Sequence, residues 1–255
     1  MRNRKNLYLL VILLLLSNVF IHAYKRYEIN KAKEIRAVRE KLRTVSKSLR
    51  FVLPKNFHLK NHDKRELDKG ENKRVIKKLT DYAVENDLRF VYSFVRWGGN
   101  VHFTSSSLGK NESLDNPEVK YGLHFAEASP LVHSAFEQDG FYEEITKDRW
   151  GSFYAVYYSR RYMGTNVRWV GGAEVSTKQL DTAVQKALLK TILETIFSFT
   201  GWLPVILLLI FFNAQDSSRH KSELQSSINL TKTIEGMYRR MKKENEKLKR
   251  EREEE

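Results

Sequence analysis

The 255-residue chain contains no cysteine. That removes disulfide frameworks, thiolate zinc or iron–sulfur sites and a cysteine nucleophile, and it leaves the compartment open. Glycine and proline are sparse, at 12 and 4 residues, so no long Gly/Pro-rich linker is present. The chain has no P-loop, no Gly-x-Ser-x-Gly elbow and no Gly-x-Gly-x-x-Gly fingerprint. No spacing of Ser, His, Tyr or acidic residues singles out a catalytic pair, so neither an enzyme nor a cofactor is expected. Long uncharged runs are also scarce, and there are only two. Asn6–Tyr24 has no acidic or basic side chain apart from His22, and Thr195–Gln215 has none at all.

What the chain has in excess is positive charge: 45 Lys and Arg against 31 Asp and Glu, a net +14. The excess is local. Residues 25–78 hold 19 basic and 7 acidic side chains, whereas residues 79–194 hold 12 and 15. A basic chain invites a nucleic-acid reading. No Cys/His finger or RNA-binding signature supports it, and a basic stretch beside an apolar run is explained by anionic head groups or a solvated helix face. Membrane lipids are therefore the expected partner and nucleic acid is not.

The first uncharged run, containing LYLLVILLLLSNVFIHA, is long enough to cross a bilayer as a helix. Cleavage after Ala23 would need a small residue where Ile21 stands, so an uncleaved anchor is expected rather than a signal peptide. The second run contains IFSFTGWLPVILLLIFF, in which Pro204 is expected to kink a spanning helix. Two spans place both chain ends on one side and the middle on the other. A bare count of basic residues flanking the first span would put the middle in the cytoplasm. A region of that length translocates largely regardless of charge, so the count does not decide.

Between the spans, Ile35, Val38, Leu42, Val45, Leu49 and Val52 recur at spacings of three and four, in a basic helix ended by Pro54. The stripe suits either packing on its own domain or pairing between two protomers. A second helix is expected over Glu71–Asn86. The period then falls to two: Arg89–Arg96 and Val101–Ser106 read as a hairpin about Trp97–Asn100. A short helix over Pro130–Gln138 is followed by strands at Phe141–Lys147, Trp150–Arg160 and Asn166–Val175, and an exit helix starts at about Thr177. This order predicts an α+β domain. His58 and His62, four apart, read as solvated loop residues rather than metal ligands.

Several pieces, in this order, resemble the extracytoplasmic single-Cache (PAS-like) sensor domains of bacterial transmembrane receptors. They are VYSFVRWGGNVHFTSSS (Val91–Ser107), DRWGSF (Asp148–Phe153), the YAVYYSR strand after it, and VGGAEV (Val170–Val175) before the exit helix. The chain departs from the family pattern in having Glu174 where Asp is usual, and an extra Gly171. The resemblance covers about residues 35–185. It implies a PAS/Cache-like antiparallel sheet flanked by two transmembrane helices, a small-molecule ligand bound over the sheet, and a bacterial inner membrane location with the sensor domain extracytoplasmic. The expected organisation is a tail and first span at 1–24, a long basic helix at 25–54, a Cache-like domain at 55–190, a second span at 195–215 and a cytoplasmic coiled-coil helix at 216–255.

A small-ligand site needs an apolar or aromatic wall and a few convergent polar groups. Tyr92, Arg96, His102, Thr104, Trp150, Tyr154 and Glu174 on the strands, with Tyr121, His124 and Asp148 between them, are the candidates. Each has a plainer alternative: Trp150 and Tyr154 as core, Asp148 as a turn cap, Arg96 as half of a surface ion pair. After the second span a heptad places Leu224, Thr231, Tyr238 and Asn245 at one seam position and Ser227, Ile234, Met241 and Leu248 at the other, a half-polar seam suited to a weak coiled coil or a solvated helix. A homodimeric receptor that binds a small molecule and signals through its transmembrane helices to the coiled coil is the leading expectation, with the output either on a separate cytoplasmic protein or on a missing part of a truncated receptor. The rivals are a membrane scaffold without a small ligand, and the sensor fragment of a truncated histidine kinase or diguanylate cyclase.

Overall fold

A computed structural model describes residues 2–61, 67–115 and 117–254. His62 and the side chains of Asn245 and Leu248 lie outside the described set. The chain forms two compact units, Met1–Leu193 and Glu194–Glu255.

The first unit is built on one continuous helix, α1 (Arg2–Val52). It carries the first apolar run directly into the basic stripe, without a break, and stops before Pro54. Helix α2 (Phe57–Asn61) and helix α3 (Lys69–Glu85) follow. Asp68 caps α3 by accepting from the backbone N–H groups of Gly70 and Glu71 at 2.9 and 3.0 Å. Five strands then appear: β1 (Phe90–Trp97), β2 (Asn100–Ser106), β3 (Gly140–Asp148), β4 (Gly151–Arg161) and β5 (Arg168–Ser176), with the short helix α4 (Pro130–Ala135) before β3. Every neighbouring pair is antiparallel, in the order β2-β1-β5-β4-β3. The α+β prediction holds, with a long N-terminal helix and a five-stranded antiparallel sheet. The β1–β2 hairpin turns on Gly98 and Gly99, whose φ of 56° and 86° suit the tight primed turn that such hairpins use.

Alternation along the strands gives the sheet two dry faces. Val91, Tyr154, Val156, Tyr158, Trp169, Ala173 and Val175 pack against α1, α2 and α3. Phe90, Tyr92, Phe94, Phe153, Ala155, Tyr157 and Val170 face the other way, under α4 and the β2–β3 connection. The α1 stripe belongs to the first face: Leu42, Val45 and Leu49 are buried in their own domain, with Val38 and Val52 packed beside them. The part of the stripe from Leu42 to Leu49 is therefore not free to pair between protomers. Gly171 makes the approach possible. A Cβ there would meet the Ser46 carbonyl oxygen at 3.0 Å and a Leu49 methyl at 3.1 Å.

Helix α5 (Thr177–Thr200) returns along α1. Its Ala183, Ala187 and Thr191 are buried, and Asn30 of α1 donates through Nδ2 to Thr191 Oγ1 at 3.1 Å. Small residues at four-residue spacing allow close helix contact, and the buried amide–hydroxyl bond sets its register.

Helix α6 (Leu203–Glu254) belongs to the second unit. Pro204 was expected to kink a continuous span. It sits instead in the first turn of α6, after a break at Gly201–Trp202, where a missing N–H costs nothing. Among the described residues one helix, α1, is long and apolar enough to cross a membrane; α5 and α6 meet that test only when taken together. On α1, Leu10, Ile12, Leu13, Leu14, Leu16, Phe20 and Ile21 are all exposed, a contiguous apolar surface rather than scattered single residues.

The packing of α1 generates a stability prediction. Leu49→Ala should cost about 2–5 kcal/mol by opening a cavity between α1 and β5, whereas Lys47→Ala on the exposed side should stay within about 0.5 kcal/mol. Denaturant unfolding of the detergent-solubilised chain checks both. Equal, small losses would show that α1 is only loosely seated.

Candidate ligand-binding site

On the face away from α1 the sheet carries a partly open cavity of about 30 Å³. Its walls come from period-two positions of three strands: Phe90, Tyr92 and Phe94 on β1, Tyr157 on β4 and Glu174 on β5, with Phe103 from β2 and Phe125 and Trp150 closing it above. Ser106, Ser107, Glu112, Val119, Thr146 and Asp148 complete the lining. Among the described residues no Lys, Arg or His lines it.

Glu174 is 4% exposed and lies between Phe90 and Ala155 on the neighbouring strands. The Tyr92 hydroxyl donates to its Oε2 at 2.9 Å. Burial pushes the Glu174 carboxyl up from its ordinary 4.5 to about 8, and the Tyr92 hydrogen bond opposes the shift without cancelling it. Burial also drives the Tyr92 hydroxyl well above its usual value, with the neighbouring Glu174 acting in the same direction. The Tyr92 ring can lie over β5 because residue 172 is glycine: a Cβ there would meet the ring at 2.0 Å. The Gly171–Gly172 pair thus gives up side chains on both faces, one for the helix and one for the tyrosine.

Asp148 closes the β3–β4 turn. Its Oδ1 accepts from the backbone N–H groups of Trp150 and Gly151 at 2.8 and 3.2 Å. This turn swings the Trp150 ring towards Phe103 and Phe125, at centroid distances of 6.0 and 6.3 Å. Partial burial raises the Asp148 carboxyl, although its two backbone donors work against that. Glu112 ties its own loop, accepting from Gly109 N–H and Glu118 N–H, each at 3.1 Å.

Of the ten sequence candidates, Tyr92, Asp148, Trp150 and Glu174 come together at this cavity. The other six lie elsewhere. Tyr154 has the opposite strand parity to Tyr157 and points to α1, where its hydroxyl donates to Glu143 at 2.6 Å and accepts from Arg39 Nε at 3.2 Å. Thr104 faces the helices and bonds Ser93 and His58. Arg96 pairs with Glu137 at 2.5 Å at the sheet's far end. Tyr121 donates to the Asn61 carbonyl at 2.8 Å. His102 and His124 face one another across an isolated bridge, ring centroids 5.3 Å apart, outside the cavity. His58, expected in solvent, is 2% exposed and stacked on Trp169 at 5.0 Å and 7°. Its burial pulls the imidazole from 6.5 down to about 3.

Phe90, Phe94 and Tyr157 were missed, although they follow from period two once Tyr92 and Glu174 are chosen. Glu112 and Phe125 lie in irregular segments where no periodicity marks them. Among the described residues no group of three His, Asp or Glu stands together to hold a metal ion.

No family model matches the chain, and no curated protein does. Solved structures similar to it include the ligand-binding domain of the Campylobacter jejuni chemoreceptor Tlp3 in complex with L-valine, at 15% identity and a TM-score of 0.44, covering 67% of this chain and 64% of that one. The same domain in complex with 4-methylisoleucine is 13% identical with a TM-score of 0.42, over 66% and 62%. The sensor domain of the V. cholerae histidine kinase DctB is 13% identical with a TM-score of 0.49, over 66% and 60%. The chain thus spans less than two thirds of the length of each.

Glu174 makes stability depend on pH. Its carboxyl holds a proton to about pH 8 when folded, against 4.5 for the ordinary group, so the folded state binds more protons across that window. The contribution is full below pH 4.5 and is lost as pH rises through about 8. His58 acts oppositely, its contribution being full above 6.5 and lost as pH falls towards 3. Comparing wild type with Glu174→Gln isolates the first. The variant should gain on wild type by up to about 1.4 kcal/mol per pH unit between pH 5 and 8. Melting curves across that range check it, and a pH-independent difference would mean that Glu174 is ionised in the folded state.

Proposed function

We propose that the chain is a non-enzymatic, two-pass membrane receptor of the Cache-like kind whose sheet cavity binds a small molecule carrying a positively charged nitrogen. The observation that carries this reading is the composition of one cavity. Glu112, Asp148 and Glu174 meet seven aromatic rings there, and among the described residues no basic side chain lines the cavity, with Arg89 and Arg149 acting on Glu174 and Asp148 only from outside it. An ammonium group would supply the missing charge, ionise Glu174 and lie against ring faces that attract cations. Binding then releases the proton that Glu174 holds, so affinity rises with pH up to about 8.

A cavity of about 30 Å³ matches one or two water molecules. A ligand larger than a methylammonium ion requires Trp150 or the Glu112 loop to move outward. The small volume is also the observation that favours the second reading, a membrane scaffold whose sheet face is simply filled.

In the receptor reading, β4 is the transmitter. Phe153 and Tyr157 face the cavity side while Tyr154 and Tyr158 face α1, and Arg39 ties α1 to Tyr154 and Glu143. A shift of β4 reaches α1 without an intermediary, limited by the ligand's differential affinity for the two arrangements. The apolar parts of α1 and of α5–α6 act as the two spans, with residues 25–194 outside a bacterial inner membrane. Protomers pair through the spans and α6 rather than the buried Leu42–Leu49 stripe, and the output lies on a separate protein or beyond this sequence.

A thermal-shift screen of small amines on the full chain in micelles tests the ligand class. At a hundredfold excess over Kd a ligand stabilises by about 2.7 kcal/mol. Glu174→Gln should erase most of that, since a charge-assisted hydrogen bond is worth roughly 1.5–3 kcal/mol. A screen without hits, or full shifts in the variant, favours the scaffold. Reporter fusions test the topology: one at Asn111 should be extracytoplasmic and one at Lys232 cytoplasmic, and the reverse would sink the receptor reading.

A further inference from the structure

At the end of the domain remote from Tyr24, a groove of about 560 Å³ runs between the last turn of α1, the chain entering α2 and the β4–β5 hairpin. It is nearly twenty times the volume of the sheet cavity and opposite in charge. Arg50, Lys55, Arg160 and Arg161 line it, and among the described residues no carboxylate does. Of the acids near this end of the sheet, Glu137 pairs with Arg96, and Asp139 is already engaged by Arg168 and by the Arg161 backbone N–H. Arg50, Lys55 and Arg161 have no ion pair among the described residues; Arg160 Nη1 reaches only the Tyr158 hydroxyl, at 3.4 Å. Four cations gathered at one site, with Asp139 shared between Arg168 and Arg160, repel each other, and an anion relieves that repulsion.

The groove is also apolar. Its floor includes the buried Trp169 and Leu53, and Phe51 and Met163 stand beside it 74% and 94% exposed. Large apolar side chains so exposed, on two different elements facing one groove, are unlike isolated surface residues. The volume falls in the range of small-molecule sites, and guanidinium forks match planar carboxylates.

We infer that this groove is a second ligand site, for a small organic anion with an aromatic or other flat apolar body. Lipid head groups of the chain's own membrane are not the source. At about 1.5 Å per residue, Arg50 stands about 40 Å along α1 from Tyr24, where the apolar run ends. The anion comes from solution. Because the groove rests on the β4–β5 hairpin as well as on the last turn of α1, an occupant bears on two of the strands that line the sheet cavity, from the other face.

Titration of the full chain in phosphatidylcholine nanodiscs tests this, with 2-naphthoate as the probe, 2-naphthamide as its neutral counterpart and empty nanodiscs subtracted. Saturable naphthoate binding is expected, at least about tenfold tighter than the amide and weakened by added salt. Arg160→Gln with Arg161→Gln should weaken it at least about tenfold while leaving the melting temperature near wild type. Lys55→Gln, at a separate position, should weaken it in the same direction if the double variant proves unstable. Glu174→Gln should leave it unchanged, which separates this site from the sheet cavity. Equal affinity for the amide, equal affinity in the basic-residue variants, loss in Glu174→Gln, or no saturation by about 10 mM would each overturn the proposal.

Discussion

The contact on which the rest depends is the seating of α1 on β4 and β5. Leu42, Val45 and Leu49 are buried there, and Gly171 lets the helix backbone come down onto the strand. Because α1 is unbroken from the apolar run to Val52, the sheet is held to that run by one rigid element. With the helices on one face, the polar and aromatic residues of the other face are left to line a cavity. The Asn30–Thr191 bond then fixes α5 beside α1 at the end of the domain near the apolar run.

The two faces divide the electrostatic work. On the helix side, charges are paired: Arg39 meets Glu143 at 2.8 Å, with the Tyr154 hydroxyl between them. On the cavity side, Glu174 is buried with a hydroxyl donor and no ion-pair partner among the described residues, Arg89 acting only from a distance, and burial raises its carboxyl to about 8. A neutral acid is the less costly form where ionisation lacks a partner. The same group becomes a strong acceptor once a cation arrives. The distal groove reverses the pattern, with cations over an apolar floor. Two sites of opposite charge thus rest on the same pair of strands.

Much of the fold was legible because its signals are local. The change from a spacing of three and four to a spacing of two located the helices and the strands to within a few residues. Gly98–Gly99 marked the hairpin, and Pro54 marked the end of α1. The site was legible in part. Tyr92, Asp148, Trp150 and Glu174 stood out as polar or aromatic residues beside turns and strand ends. Tyr154 was misplaced because an aromatic strand such as YAVYY is apolar on both faces, and composition does not say which parity faces which layer. His58 was misplaced because a histidine after a proline reads as solvent, while burial came from a stack on Trp169, more than a hundred positions away in sequence.

The sequence by itself determined the periodicities, the one unbroken helix entering the domain, the hairpin turns and the α+β class, since each is set by neighbours within a few residues. Tertiary structure alone decided that the α1 stripe packs inward from Leu42 to Leu49, that Pro204 starts a helix rather than bending one, and that the Gly171–Gly172 pair serves two faces at once. It alone brought Glu112 and Phe125 to Glu174, and Arg50 and Lys55 to Arg160 and Arg161. These are contacts between distant segments, set by strand register and by the space the glycines leave, and no local pattern encodes them.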